Sequence, residues 1–127
     1  MPKRVIIKRD VIDGLLDYCS DFHPREGILL LRGKTRKEEI EVNALMIPPM
    51  PVHSETYSSF SSYMLPLDIS ILGIAHSHPN GVIKPSMQDL NHFFGRMMVI
   101  VGYPYESEKD VAVFDREGNK AVYYVVE

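Results

Sequence analysis

Ile69-Ser70-Ile71-Leu72-Gly73-Ile74-Ala75-His76-Ser77-His78-Pro79 is the stretch that decides the fold. Ile69 to Ala75 is a nearly continuous apolar run bounded by Asp68 and His76, which reads as a buried central strand. His76 and His78 stand at its C-terminal end. A step of two along a strand puts both rings on one face, roughly 6–7 Å apart at Cα, and turns Ser77 to the other. Pro79 stops the strand, so the chain turns away just past the histidines.

Working outward, Asn80-Gly81 makes a turn and Pro85 discourages helix before Ser86. Ser86-Met87-Gln88-Asp89 then opens a helix expected to carry Leu90, Phe93, Phe94 and Met97 on one face. Asp89, in the first helical turn, can face back toward the strand end. His76, His78 and Asp89 then supply three protein ligands to one metal ion, the usual complement of a catalytic zinc site with its fourth position open. Ser-x-x-Asp before an apolar residue is equally a capping box, and one helix end can serve both purposes. A nucleophilic triad of Ser77, His78 and Asp89 is opposed by the strand alternation. The Pro-Cys-x-x-Cys ligands of zinc deaminases are ruled out by the single cysteine. A mixed N/O donor set with an open position favours zinc over iron or copper.

The rest of the chain reads as a mixed α/β domain, a sheet flanked by helices, spanning residues 1–127 as one unit. Val11, Ile12, Leu15, Leu16, Cys19 and Phe22 recur at helical steps over 10–22, with Asp10 at the N-cap and His23-Pro24 at the end. Residues 27–31 and 37–47 form a strand pair with a turn beginning at Gly33-Lys34. Met46 to Pro51 is a Pro-rich surface loop, and residues 57–64 are Ser-rich with strand potential. Met98 to Gly102 is another buried strand, and 110–114 with 121–126 form a final hairpin around Arg116-Glu117-Gly118-Asn119.

With 45% apolar and 24% charged residues the composition is that of a globular protein. A net charge of -3 gives no basic field for nucleic acid. The lone Cys19 excludes an internal disulfide framework and fits a reducing compartment. Val5-Ile6-Ile7 is too short for a secretion signal, and no run approaches the ~20 apolar residues of a membrane span. A cytoplasmic protein is expected.

The pattern His76-Ser77-His78-Pro79, ten residues, then Asp89, with Ser86 three positions earlier, resembles the signature of the JAMM (MPN+/JAB) metalloprotease family. That family also has a glutamate well upstream, at the start of a buried strand after the first helix. Arg25-Glu26-Gly27-Ile28-Leu29-Leu30-Leu31 matches the position, and the resemblance covers essentially the whole chain. It implies a fold akin to cytidine deaminases, a zinc ion, and hydrolysis of peptide or isopeptide bonds next to ubiquitin-like modifiers. The chain has little room for the two insertions of ubiquitin-chain-cleaving members and looks like the compact archaeal or bacterial type, similar to desampylases.

By this resemblance His76, His78 and Asp89 hold zinc and a water, Glu26 is the general base, and Ser86 helps bind the oxyanion. The implied partner is a ubiquitin-like modifier or its conjugates. Two alternatives stay open: a peptidase trimming the C-terminus of a ubiquitin-like sulfur-carrier precursor, and a non-catalytic MPN interaction module. An extended modifier tail is expected to add as a strand to the Tyr57–Ser62 edge, against the plainer reading of a Ser-rich surface strand. His23, His53 and His92 read as solvated side chains with no metal role, and Cys19 as a core residue.

Overall fold

The computed structural model describes residues 4–48 and 69–127. His53, most of the Pro-rich loop and the Tyr57–Ser62 segment lie outside the described residues. The chain opens with strand β1 (Arg4–Lys8), which runs directly into helix α1 (Arg9–Phe22). Val11, Ile12, Leu15, Leu16 and Cys19 form its buried face. The helix starts one residue before Asp10, with Lys8 at the N-cap and no side-chain cap bond. It ends at His23, whose N–H bonds back to Cys19 and Ser20 while Pro24 forbids another turn.

Strands β2 (Ile28–Thr35) and β3 (Glu39–Met46) pair antiparallel. The expected turn at Gly33-Lys34 is displaced to residues 36–38. Gly33 instead marks a register irregularity within β2, where a Cβ would run into the Glu41 carbonyl. Glycine here serves a close backbone approach, a need that the sequence cannot tell from a turn.

Strand β4 (Ile71–His78) lies mid-sheet, antiparallel to β2 and parallel to β5 (Met97–Gly102). Its two faces are both covered, by α1 on one side and by Phe93 and Phe94 on the other, which accounts for the unbroken apolar run. Between β4 and β5 sits helix α2 (Met87–Asn91), one turn and a half long. The expected longer helix through Met97 does not form. Phe93 and Phe94 follow α2 in a turn, packing on the cluster of Leu30, Ile74 and Ile100, and Met97 opens β5. Gly95, at φ 81, reverses the chain against the Leu72 carbonyl. Apolar residues three or four apart met the same core from a turn, so periodicity overextended the helix.

After a 3-10 turn at Glu108–Asp110, β6 (Val111–Phe114) pairs with β5 and with β7 (Lys120–Ala121). The expected hairpin over 121–126 is only half right. β8 (Tyr123–Val126) leaves β6 and pairs parallel with β1. The sheet order is β7-β6-β5-β4-β2-β3-β1-β8, so β7 and β8 lie at opposite ends. Yet Val122 alone separates Ala121 from Tyr123, and two Cα steps span less than about 8 Å. The sheet therefore curls until its ends meet, a near-barrel. Its two apolar faces are served by separate clusters: α1 packs with Val5, Leu31, Val99 and Val113 on one, while Leu30, Ile74, Ile100 and Phe114 line the other.

The β4–β5 pairing has a sharp test. Gly73 faces Met97, and a Cβ would collide with the Met97 carbonyl. Gly73→Ala is expected to cost about 1–3 kcal/mol or more by overpacking, read from denaturant unfolding. Gly14→Ala in α1, where a Cβ meets only the mobile end of Leu45 at 3.0 Å, is expected to be neutral or stabilising, since alanine is the better helix former.

Candidate metal centre

The histidines reach one point because of pleat and register. β4 ends with His76, Ser77 and His78 in strand geometry, so both rings leave the sheet on the α2 side. His76 is fully buried and His78 half-buried at the rim. Their Nε2 atoms lie 3.1 Å apart. Asp89 closes the set: its Oδ1 is 3.3 Å from His76 Nε2 and its Oδ2 3.3 Å from His78 Nε2. Among the described residues, this is where three such donors converge, with one ligand atom from each within 4.8 Å of the others.

The donor set fits zinc. Bonds of about 2.0–2.1 Å to a tetrahedral ion place neighbouring ligand atoms about 3.3–3.4 Å apart, close to the separations seen. His78 Nδ1 lies 2.8 Å from the Val82 carbonyl. A carbonyl only accepts, so Nδ1 carries the proton and the Nε2 lone pair points into the site, the arrangement that orients metal-binding imidazoles. Two imidazole nitrogens and a carboxylate facing one another gather lone pairs at a single point, and a cation relieves that repulsion.

Asp89 is placed by the helix start. The Ser86 hydroxyl accepts the Asp89 N–H at 3.0 Å, and Asp89 Oδ2 accepts the Ser86 N–H at 2.8 Å, a reciprocal capping box. Burial pushes the Asp89 carboxyl up, but in the absence of an ion hydrogen bonds from the His76 and His78 rings when these are protonated, the His76 charge and the Ser86 N–H outweigh it and hold it far below the usual range. Asp89 is thus an anion ready to ligate. Burial lowers His78, while its bonds to Asp89 and Val82 and the charges of Asp89 and Glu26 raise it, with a net upward shift.

Glu26 arrives by register. Ile28 is the partner of His76 across the antiparallel β2–β4 pair, and the Ser77 N–H continues the ladder to the Gly27 carbonyl. One step further, Glu26 falls opposite His78 and shares its face. As a residue Glu26 is exposed. Dehydration of its carboxyl nevertheless pushes it above the ordinary glutamate range, His76 and His78 opposing the shift and Asp89 adding to it. A base with a raised pKa beside an open metal position suits proton transfer near neutrality.

The structure thus brings His76, His78 and Asp89 together, sets Glu26 on their face, and bonds Ser86 to Asp89. His23 pairs instead with the Tyr105 hydroxyl at 2.8 Å, and His92 caps the end of α2. Cys19 is buried, which pushes its thiol up to about 12, opposed by a hydrogen bond to Ser77; a core thiol of that kind is inert. Two contributors escaped the sequence reading. Nothing in a Val-Ile pair marks the Val82 carbonyl as the partner of His78, and Ser77, set aside as a non-ligand, bonds the Gly27 N–H.

Ser86 has separable duties. Its oxygen accepts from Asp89 and still has its own proton to donate toward the site. Ser86→Ala is expected to lose about 1 kcal/mol of stability from the cap while retaining zinc, because Asp89 keeps its bond to the Ser86 backbone. A fall in turnover beyond that stability loss, at unchanged metal content, marks the hydroxyl as an oxyanion donor; lowered stability alone restricts it to capping.

A mixed near-barrel sheet with a His-His-Asp set at the end of its central strand defines a metal-binding α/β domain of the JAB1/MPN type. The chain belongs to the prokaryotic homologs of the JAB domain, whose family model matches residues 8–126. It is 34% identical over 119 residues to a probable metalloprotease of Haloferax volcanii, a match covering 88% of this chain and 73% of that protein. A JAB1/MPN domain protein from Archaeoglobus fulgidus is similar in structure, with a TM-score of 0.71 at 28% identity over 97% of both chains. A structure described as a JAMM, a metalloprotease-like zinc site in the proteasome and signalosome, gives 0.71 at 28% identity over 98% of this chain and 100% of that one. The expected fold class and family hold, and the zinc site of this kinship matches the donor set found here. Among the described residues, no helix is long and apolar enough to cross a membrane.

Proposed function

We propose that this chain is a zinc-dependent peptidase that cleaves the bond after the C-terminal glycine of a ubiquitin-like modifier, acting on isopeptide conjugates. The observation that carries the hydrolase reading is Glu26 sharing one face with His76, His78 and Asp89, the last three within ligand distance of a common point. His76, His78 and Asp89 would hold the ion. When bound, zinc supplies Lewis acidity, acidifying water and polarising a carbonyl.

The protein's own groups do the rest. Asp89 stays ionised and keeps its geometry through the capping box, and His78 is held in one tautomer by the Val82 carbonyl. Glu26 accepts a proton from the attacking water and passes it to the departing amine. The Ser86 hydroxyl donates to the developing oxyanion. No covalent intermediate is required, and none of these roles falls to Ser77, whose hydroxyl is turned to the opposite face.

The choice of substrate follows from the resemblance to JAMM metalloproteases, supported by kinship with a metalloprotease-like zinc site described in the proteasome and signalosome. A glycine-ended tail is thin enough to reach a metal flanked by a short helix and a strand end. Trimming of a linear precursor uses the same chemistry. A scaffold without catalysis is disfavoured because all five residues of the hydrolytic set are retained.

Incubating zinc-loaded protein with an isopeptide-linked modifier conjugate and, separately, with a linear fusion of the same modifier decides the matter. Cleavage of the conjugate is expected, and chelation should abolish it. Cleavage of the fusion alone moves the assignment to precursor trimming. No cleavage of either overturns the hydrolase reading.

A further inference from the structure

Ser77 lies between the two histidines, fully buried, with its side chain turned beneath the sheet toward α1. A hydrogen-bonded pair of an antiparallel ladder, which alternates with non-bonded pairs, ordinarily exchanges two backbone hydrogen bonds. At this pair only one is of that kind, from the Ser77 N–H to the Gly27 carbonyl at 3.1 Å. The Gly27 N–H goes instead to the Ser77 hydroxyl, at 2.8 Å. A side-chain oxygen has taken the place of a strand carbonyl, immediately after Glu26.

The far end of the same segment is braced as well. His23 bonds the Tyr105 hydroxyl at 2.8 Å and stacks on Tyr103 with ring centroids 4.7 Å apart. Tyr105 is buried and holds φ 60, a left-handed conformation that a non-glycine residue keeps only where its surroundings demand it. Residues 23–27 are therefore tied at both ends, His23 to the Tyr105 hydroxyl and Gly27 to the Ser77 hydroxyl, and Glu26 rides between the ties.

We propose that Ser77 is a positioning residue for Glu26: by accepting the Gly27 N–H in place of a ladder carbonyl, its hydroxyl sets how far Glu26 stands from His76 and His78, with Tyr105 and His23 bracing the other end. The proposal rests on the hydrolase reading above. A general base works only within hydrogen-bond reach of its proton, and a misplacement of 1 Å costs on the order of 100-fold in rate. A residue pinned two bonds away from the carboxylate-bearing side chain controls that distance without touching substrate.

Ser77→Ala is expected to keep the zinc content of the unaltered protein and lower kcat about 10–100-fold, with KM unchanged. Ser77→Thr keeps a hydroxyl and is expected to restore most of the rate. In a Glu26→Gln background, adding Ser77→Ala should cost nothing further, because the group it positions is gone. NMR of the zinc-loaded protein supplies a readout free of activity: the Gly27 amide and Glu26 carboxyl resonances move in Ser77→Ala and return in Ser77→Thr, while the Val99 amide stays in place. An unchanged rate, an equal further loss in the Glu26→Gln background, or an unmoved Glu26 resonance overturns the proposal. Should Ser77→Ala fail to fold, Tyr105→Phe removes the tie to His23 at the other end of the segment while keeping the ring. A lowered kcat that disappears in the Glu26→Gln background supports the proposal, and an unchanged kcat overturns it. If the unaltered protein cleaves nothing, the hydrolase reading falls, and the NMR comparison still decides whether Ser77 places Glu26.

Discussion

Glu26→Gln protein is expected to bind zinc as tightly as the unaltered chain and to lose about 10²–10⁴-fold in kcat, the usual worth of a positioned general base. The substitution is nearly isosteric and leaves the β2–β4 register alone, since Gly27 and Ile28 hold that register through Ser77 and His76. What it removes is basicity. Glu26 carries the raised carboxyl of the site, whereas Asp89 is held far too low to accept a proton usefully. The other carboxylate whose charge reaches Glu26 is Asp89, already committed as a ligand. The checks are metal analysis by mass spectrometry and steady-state hydrolysis of the modifier conjugate. Full activity in Glu26→Gln would remove the glutamate from the chemistry.

His78→Ala is expected to act one step earlier, by losing the ion. Replacing groups that only hydrogen-bond to zinc ligands already costs about 10–100-fold in affinity, and loss of a ligand should exceed that. His78 suits the test better than His76, because it stands at the strand end and its side chain keeps some exposure. His76, fully buried, would confound metal loss with packing. The fold should survive in His78→Ala, since β4 keeps both neighbouring strands. Zinc stoichiometry after dialysis, with circular dichroism as control, reads the outcome. Retained zinc at full stoichiometry would break the assignment of the ligand set.

The part of the fold legible in sequence was the part governed by one dominant force. The run from Ile71 to Ala75 had to be buried on both faces, so its strand and the placement of His76 and His78 followed. The spacing to Asp89 was legible because a strand end, a tight turn and a capping box each have local signatures. Glu26 was different. It is one of nine glutamates, and only the pairing of Ile28 with His76 brings it opposite His78; register between strands some fifty positions apart is not written in either strand alone.

The misreadings share a cause. Gly33 signals a turn and a close approach in the same way, and the structure uses the latter. Leu90, Phe93, Phe94 and Met97 are spaced like a helical face, yet Gly95 and Arg96 divert the chain after five helical residues. Tyr123 to Val126 has the alternation of a hairpin arm, but its partner is β1 at the other end of the sheet, and only Lys120 and Ala121 pair with β6. In each case a local pattern was right about burial and silent about the neighbour.

The joining of β8 to β1 carries a kinetic consequence. Val5 pairs with Tyr123 and Lys8 with Val126, so the first and last strands must find each other across nearly the full contour of the polypeptide. Meetings of that range pay their entropy before any contact repays it, and they slow the search for the native state. The histidines and Asp89, which precede β8 in the chain, then wait on Tyr123–Val126 for a fully sealed scaffold.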